Sequence, residues 1–218
     1  MDFSAAIFDM DGTLVDSLLI WDVLWEDLGK RFLTGAVFRP TKLDDKAIRT
    51  MTLKDAMALI HDHYNIGDSA QELLHIANDL IATFYATRVQ LKPGVMEFLQ
   101  KMQESGAKMC IATATAPELI KLAMEHCGLT PFFSRVFSCG DLGKGKDEPD
   151  IFLAACKHLR VKPQDTWVFE DSLTAIRTAS DLGMKTVAVY DRYNFGQEEM
   201  QQIATHYIAE GETLLKLL

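Results

Sequence analysis

Asp9 and Asp11 stand one residue apart in the stretch Phe8-Asp9-Met10-Asp11-Gly12-Thr13. An apolar run before them and a glycine turn after them put both carboxylates in a loop at the end of a strand. Carboxylates this close repel each other and call for a shared proton or a cation. No His or Cys lies nearby in sequence, so a hard, oxygen-liganded ion such as Mg²⁺ suits them better than zinc. Three later segments carry reactive side chains to comparable places. The apolar run Cys110-Ile111-Ala112 stops at Thr113-Ala114-Thr115, the glycine-rich loop Gly143-Lys144-Gly145-Lys146 precedes a helix, and Val168-Phe169 ends in Glu170-Asp171-Ser172. Singly these read as a cap, a solvated cation and a helix start. Jointly they describe one acidic, cation-seeking site with a hydroxyl and a lysine beside it.

The elements that must position these groups alternate. Short apolar runs at residues 5–8, 108–112, 135–138, 166–169 and 186–189 read as strands. Between them Val95, Phe98, Leu99 and Met102 recur at helical spacing after Pro93-Gly94, and residues 151–159 and 173–182 give two further helices. Strand–helix alternation predicts a doubly wound, Rossmann-like parallel sheet, whose ligands bind beyond the carboxyl ends of the strands. Residues 17–89 break the rhythm and read as helices alone, over 18–32, around Leu53, Ala56, Met57 and Ile60, and over 70–87. Asp16-Ser17 and Thr52 are the expected N-caps of the first two. The expected organisation is an α/β core of residues 1–16 and 90–218 with a small all-α cap, 17–89, inserted after the first strand. Residues 205–208 read as a weak last strand and 212–218 as a short helix.

Composition sets the surroundings. The 218 residues have room for one core and an insert, and 48% hydrophobic with 24% charged residues is the balance of a folded chain. Thirty-one acids against 22 bases give a net charge of −9, which argues against nucleic acid as a partner. No run approaches the roughly 20 apolar residues of a membrane span, and with no basic stretch leading into an apolar one at Met1-Asp2-Phe3-Ser4, no secretory signal is expected. Cys110, Cys127, Cys139 and Cys156 form no Cys-x-x-Cys pair, and the expectation is buried, reduced thiols in a cytoplasmic protein.

In their order, the four segments resemble the four motifs of the haloacid dehalogenase superfamily, and the helical insert resembles the cap of its β-phosphoglucomutase-like branch. Pro149-Asp150-Ile151-Phe152-Leu153 after Lys146 resembles that branch too. The resemblance implies that Asp9 is a nucleophile attacking phosphorus and that Asp11 is the general acid and base. It implies Mg²⁺ held by Asp9, the backbone carbonyl of Asp11, Asp171 and Glu170, with Glu170 as a ligand or just behind one. Thr113 and Lys146 hold the phosphoryl oxygens in this scheme, and the backbone of residues 10–13 adds donors. Because dehalogenating members lack the carboxylate two residues after the nucleophile, Asp11 favours phosphoryl transfer. The implied activity is a Mg²⁺-dependent phosphatase acting on a small phosphorylated metabolite, as a monomer or weak homodimer.

Departures sharpen that reading. Mutases of this branch place a His where this chain has Trp21, an Arg where it has Leu53, and a Lys where it has Ala116-Pro117; Ala175 replaces a glycine of the fourth motif. The three missing polar groups argue against a sugar phosphomutase. A phospho-accepting signalling domain also gathers acids, a Thr and a Lys around Mg²⁺, but is about half this length and carries no cap. A binding protein without catalysis fits poorly with the complete set. Trp21, Arg49 and Ala114 are the expected substrate contacts. His61 and His63, two apart on a helix, do not share a face and read as surface residues, and His126, His158 and His206 stand alone.

Overall fold

Ala5, Ala6, Ile7 and Phe8 are all buried, and only a strand covered on both faces hides consecutive side chains in this way. They form β1 of a computed structural model that describes residues 3–33, 37–48 and 51–218. Five more strands pair in parallel around it: β2 (Lys108–Thr113), β3 (Val136–Ser138), β4 (Trp167–Glu170), β5 (Lys185–Val189) and β6 (His206–Ile208), in the order β3-β2-β1-β4-β5-β6. The sheet is the Rossmann-like one read from the sequence. Phe8 is in register with Ile111 on one side and Phe169 on the other, so β4 runs one residue and β2 two residues past the end of β1.

The chain divides into two compact units, Met1–Leu18 with Val89–Leu218, and Leu19–Arg88. In the α/β unit one sheet face packs Ile7, Cys110 and Val168 against Phe152, Cys156, Ala175 and Ala179. The other face is aromatic: Phe8 stacks on Phe169 at 4.3 Å, and Phe98 meets both rings. Phe98 belongs to α5 (Val95–Glu104), whose buried stripe is Val95, Phe98, Leu99 and Met102. Full burial of such a side chain contributes roughly 1.5–3 kcal/mol, enough to hold a ten-residue helix on the sheet. The remaining helices of this unit are α6 (Pro117–His126), α7 (Cys139–Leu142), α8 (Asp150–Leu159), α9 (Leu173–Asp181) and α10 (Gln197–Ile203).

The other unit is helical: α1 (Ile20–Phe32), α2 (Lys42–Ile48), α3 (Leu53–Tyr64) and α4 (Ala70–Thr87). Its core gathers Leu24, Trp25, Leu28, Ile48, Met57, Ile60 and Leu73. Trp21 packs against that core, 5.6 Å from the ring of Trp25. Thr52 caps α3 by accepting from Asp55 N.

Three residues depart from the expected boundary, since Ser17, Leu18 and Val89 stay with the α/β unit. Ser17 does not cap α1: the cap position is Leu19, without a side-chain bond, because the Ser17 hydroxyl donates to Asp11 instead. Val15 bridges Leu91, and Asp16 N donates to Gln90 O, so the two chain segments at the boundary lie side by side. The last helix is shorter than expected, a 3₁₀ turn over Leu214–Leu217. All four cysteines are free, and burial pushes the Cys110 thiol up to about 12. Among the described residues no helix is long and apolar enough to cross a membrane.

Candidate active site

Asp9 follows the last residue of β1, and its N–H donates to Phe169 O at 2.8 Å, continuing the ladder one step past the strand. The chain then turns sharply, with Met10 O accepting from Thr13, Leu14 and Val15 N–H groups at 3.3, 2.9 and 3.0 Å. Gly12 makes that turn possible at φ +80°, and its backbone lies against the fourth motif: a β-carbon there would sit 2.0 Å from Asp171 Oδ2. Gly12→Ala is therefore expected to displace Asp171 and cut activity by 10²-fold or more while the protein stays folded, since strain at one loop residue costs about 1–3 kcal/mol. Steady-state kinetics beside a thermal melt checks this.

Glu170 closes β4, and Asp171 follows it. Carboxylate oxygens of Asp9, Glu170 and Asp171 all lie within 4.8 Å of one another, and all three residues are buried. Lys146 enters among them, its Nζ bonding Asp9 Oδ1 and, at 2.6 Å, Glu170 Oε1. Its side chain is 10% exposed, against 48% for Lys144, which pairs with Asp150 instead. The structure thus separates the two lysines of one loop.

Burial first, then the Glu170 charge, pushes the Asp9 carboxyl well above the ordinary carboxylate range, and Lys146 offsets only part of this. Burial and the charges of Glu170 and Asp9 raise Asp171 likewise. Burial works to lower the Lys146 ammonium, but Asp9 and Glu170 outweigh it and hold that group above its usual range. Three carboxylates and one ammonium leave the cluster short of positive charge. Every candidate ligand in it is a carboxylate oxygen, which is the donor set of a hard divalent cation and not of zinc. Mg²⁺ fits these residues.

Asp11 is brought to the same edge, but its carboxylate stands outside that trio. Its Oδ1 accepts from Ser17 Oγ at 2.6 Å and its Oδ2 from Thr115 Oγ1 at 2.7 Å. Two hydroxyls thus hold the Asp11 carboxylate, apart from the trio. Thr113 closes β2, buried, with its oxygen accepting from Thr115 N at 3.1 Å. Ser138, in register with Thr113, donates to Thr115 O at 3.2 Å and steadies the same loop. Glu170 Oε2 accepts from Asp171 N and Ser172 N at 2.7 and 3.1 Å, so this side chain is fixed at both oxygens.

Several contributors escape sequence reasoning. Thr13 Oγ1 donates to Asp171 Oδ1 at 3.1 Å, and Thr115 and Ser17 hold Asp11; Thr13 and Thr115 sit inside quoted motifs and Ser17 at an expected helix cap, and none carries a spacing that marks it. Asn194, bonded to Asp171, lies in a loop with no motif at all. Arg49 falls outside the described residues. Trp21 is half-buried in the helical unit and Ala114 is exposed on the loop after β2. Of the histidines set aside, His61 Nδ1 lies 2.9 Å from Ile66 O, and His63 Nδ1 lies 3.6 Å from Asp44; neither joins a metal-holding group among the described residues.

The chain is 30% identical over 194 residues to "Probable pseudouridine-5'-phosphatase" of Drosophila melanogaster, covering 85% of this chain and 80% of that one. It is 23% identical over 211 residues to a phosphorylated carbohydrates phosphatase of Thermotoga maritima, covering 96% of each. The crystal structure of CbbY from Rhodobacter sphaeroides in complex with phosphate shares the fold at TM-score 0.74 and 21% identity, over 95% of this chain and 94% of that one. The pattern of the haloacid dehalogenase-like hydrolases matches residues 3–183, and the chain belongs to that family.

Proposed function

We propose that this protein is a Mg²⁺-dependent phosphatase that hydrolyses a small phosphomonoester through an aspartyl-phosphate on Asp9. The observation that carries the reading is the buried trio Asp9, Glu170 and Asp171 with Lys146 set between two of its members. The named activities of the similar phosphatases support a phosphorylated metabolite as substrate.

Asp9 attacks phosphorus in line with the leaving oxygen, so that one Oδ–P bond forms as the ester P–O bond breaks. Asp11 gives its proton to the leaving oxygen, then takes one from the water that attacks the same phosphorus and frees Asp9 and phosphate. The Ser17 and Thr115 hydroxyls keep the Asp11 carboxylate on the loop that carries the nucleophile. Lys146 spreads positive charge over Asp9 and the phosphoryl oxygens, and Thr113 donates its hydroxyl proton to one of them. Asp9, Asp171 and the backbone carbonyl of Asp11 would hold Mg²⁺, with Glu170 orienting Lys146 beside it. When bound, Mg²⁺ supplies the positive charge that lets the phosphoryl group approach a carboxylate. Ala114 is the core's substrate contact in this reading and Trp21 that of the helical unit, which acts as the cap. The free cysteines favour a reducing, cytoplasmic setting, with the enzyme a monomer or weak homodimer.

Hydrolysis of an aryl phosphate with Mg²⁺, abolished by EDTA and restored by added Mg²⁺, is the expected result. Metal removal also has a pH signature. Asp9 and Asp171 bind protons more tightly folded than unfolded, so the metal-free protein loses stability as pH rises above about 4, the unfolded carboxylate value. Mg²⁺ relieves that repulsion, and the rise in Tm on adding it should be larger at pH 8 than at pH 5.5. An equal rise at both pH values, or none, would contradict the site.

A further inference from the structure

After β5 the chain runs through residues 190–196 without regular structure, yet the segment is held at several points. Asp191, 3% exposed, pairs with Lys92 Nζ at 3.0 Å, and the same ammonium donates to Tyr190 O at 2.8 Å. The backbone N–H of Lys92 donates to Leu14 O at 2.9 Å, so the lysine is pinned to the loop that begins at Asp9. Asp191 Oδ1 accepts from Tyr193 N at 2.9 Å, and Asp191 O accepts from Asn194 N at 3.1 Å and from Gln197 Nε2 at 2.9 Å. A buried carboxylate left without its cation is costly, so Lys92 and Asp191 hold this loop in one conformation.

That conformation aims Asn194 at the site. Its Nδ2 donates to Asp171 O at 3.2 Å and to Asp171 Oδ2. Thr13 donates to the other oxygen, Oδ1, at 3.1 Å, and Gly12 lies against the same carboxylate. Each carboxylate oxygen has two acceptor positions, so one neutral donor per oxygen fixes the rotamer and leaves room for a cation. A lysine or arginine in place of Asn194 would fix Asp171 equally well but would repel Mg²⁺. We propose that Asn194 is a positioning residue for Asp171, carried by a loop that the Lys92–Asp191 pair ties down, and that it sets the affinity for the divalent cation. The assignment rests on the reading of Asp171 as a cation ligand.

Partners that orient a metal ligand typically matter by about 10–100-fold in affinity. The test is Mn²⁺ binding to the full-length protein, followed through the electron paramagnetic resonance signal of free Mn²⁺, with a thermal melt of each metal-free variant. Asn194→Ala and the near-isosteric Asn194→Leu should each weaken Mn²⁺ binding about 10-fold, with turnover largely recovered at saturating Mn²⁺. Lys92→Met should weaken it too, and Lys92→Met with Asn194→Ala no further than the more affected single variant, because both act through one loop. Binding that Asp171→Asn abolishes but both Asn194 variants leave unchanged would overturn the positioning role alone. A wild type that binds no Mn²⁺, or binds it equally after Asp171→Asn, would overturn the cation reading and this inference with it.

Discussion

Replacing Asp9 by asparagine is expected to lower the turnover of an aryl phosphate by about 10⁴-fold or more, because the nucleophile and its covalent intermediate vanish together. Stability should move the other way. The Asp9 carboxylate is buried, and burial and Glu170 both oppose its charge. The amide fills the same space and removes one of three converging negative charges, so the metal-free variant should melt a few degrees higher at pH 8. For a chain of this size, about 1 kcal/mol corresponds to roughly 2–4 °C. Opposite signs in activity and stability mark a residue kept for chemistry at the expense of the fold. Turnover within about tenfold of wild type, in an assay short enough to exclude deamidation of the new side chain, would remove Asp9 from the nucleophile's role.

Lys146→Met carries the second largest effect, and here activity and stability fall together. The lysine side chain is 10% exposed and bonds two of the three buried carboxylates, so its loss leaves them facing one another with no ammonium between them. Removing one partner of a buried pair costs about 3–5 kcal/mol. Protonation of Asp9 and Asp171 absorbs part of that cost at low pH, since both already bind protons tightly. The loss measured by urea unfolding without metal should therefore be greater at pH 8 than at pH 5.5, and Mg²⁺ should recover part of it. Turnover should fall about 10³-fold, the scale seen when a preorganised donor to developing charge is removed. Lys144→Met, on the exposed neighbour that pairs with Asp150, should change neither quantity appreciably.

Much of this site is legible in the chain, for a physical reason. A buried parallel strand is a continuous apolar run, so Ala5-Ala6-Ile7-Phe8 and Trp167-Val168-Phe169 announce themselves, and the polar residue that ends each run falls at the carboxyl edge. That places Asp9, Thr113, Glu170 and Asp171 without knowledge of a single contact. The boundary of the β4 strand shifts by one, since Glu170 is its last residue. Lys144 and Lys146 look alike in sequence, and only burial tells them apart.

What stays hidden depends on side-chain partners distant in sequence. Ser17 looks like a helix cap until Asp11 is seen to take its hydroxyl. Asn194 lies 23 residues beyond Asp171 and Lys92 lies 98 residues before Tyr190, and nothing near either residue hints at the other end of its bond. The short helices α2, α7 and α10 carry too few apolar positions to form a stripe, and tertiary context alone makes them helical.

The central claim is that phosphorus becomes bonded to Asp9. The measurement that meets it directly is rapid acid quench of the wild-type enzyme turning over a ³²P-labelled phosphomonoester with Mg²⁺, followed by peptide mapping of the label. The account predicts label on the peptide that contains Asp9, released by hydroxylamine as an acyl phosphate should be, and no label in Asp9→Asn. Label elsewhere in the chain, or an enzyme that releases phosphate at full rate with none bound to protein at any quench time, would contradict it.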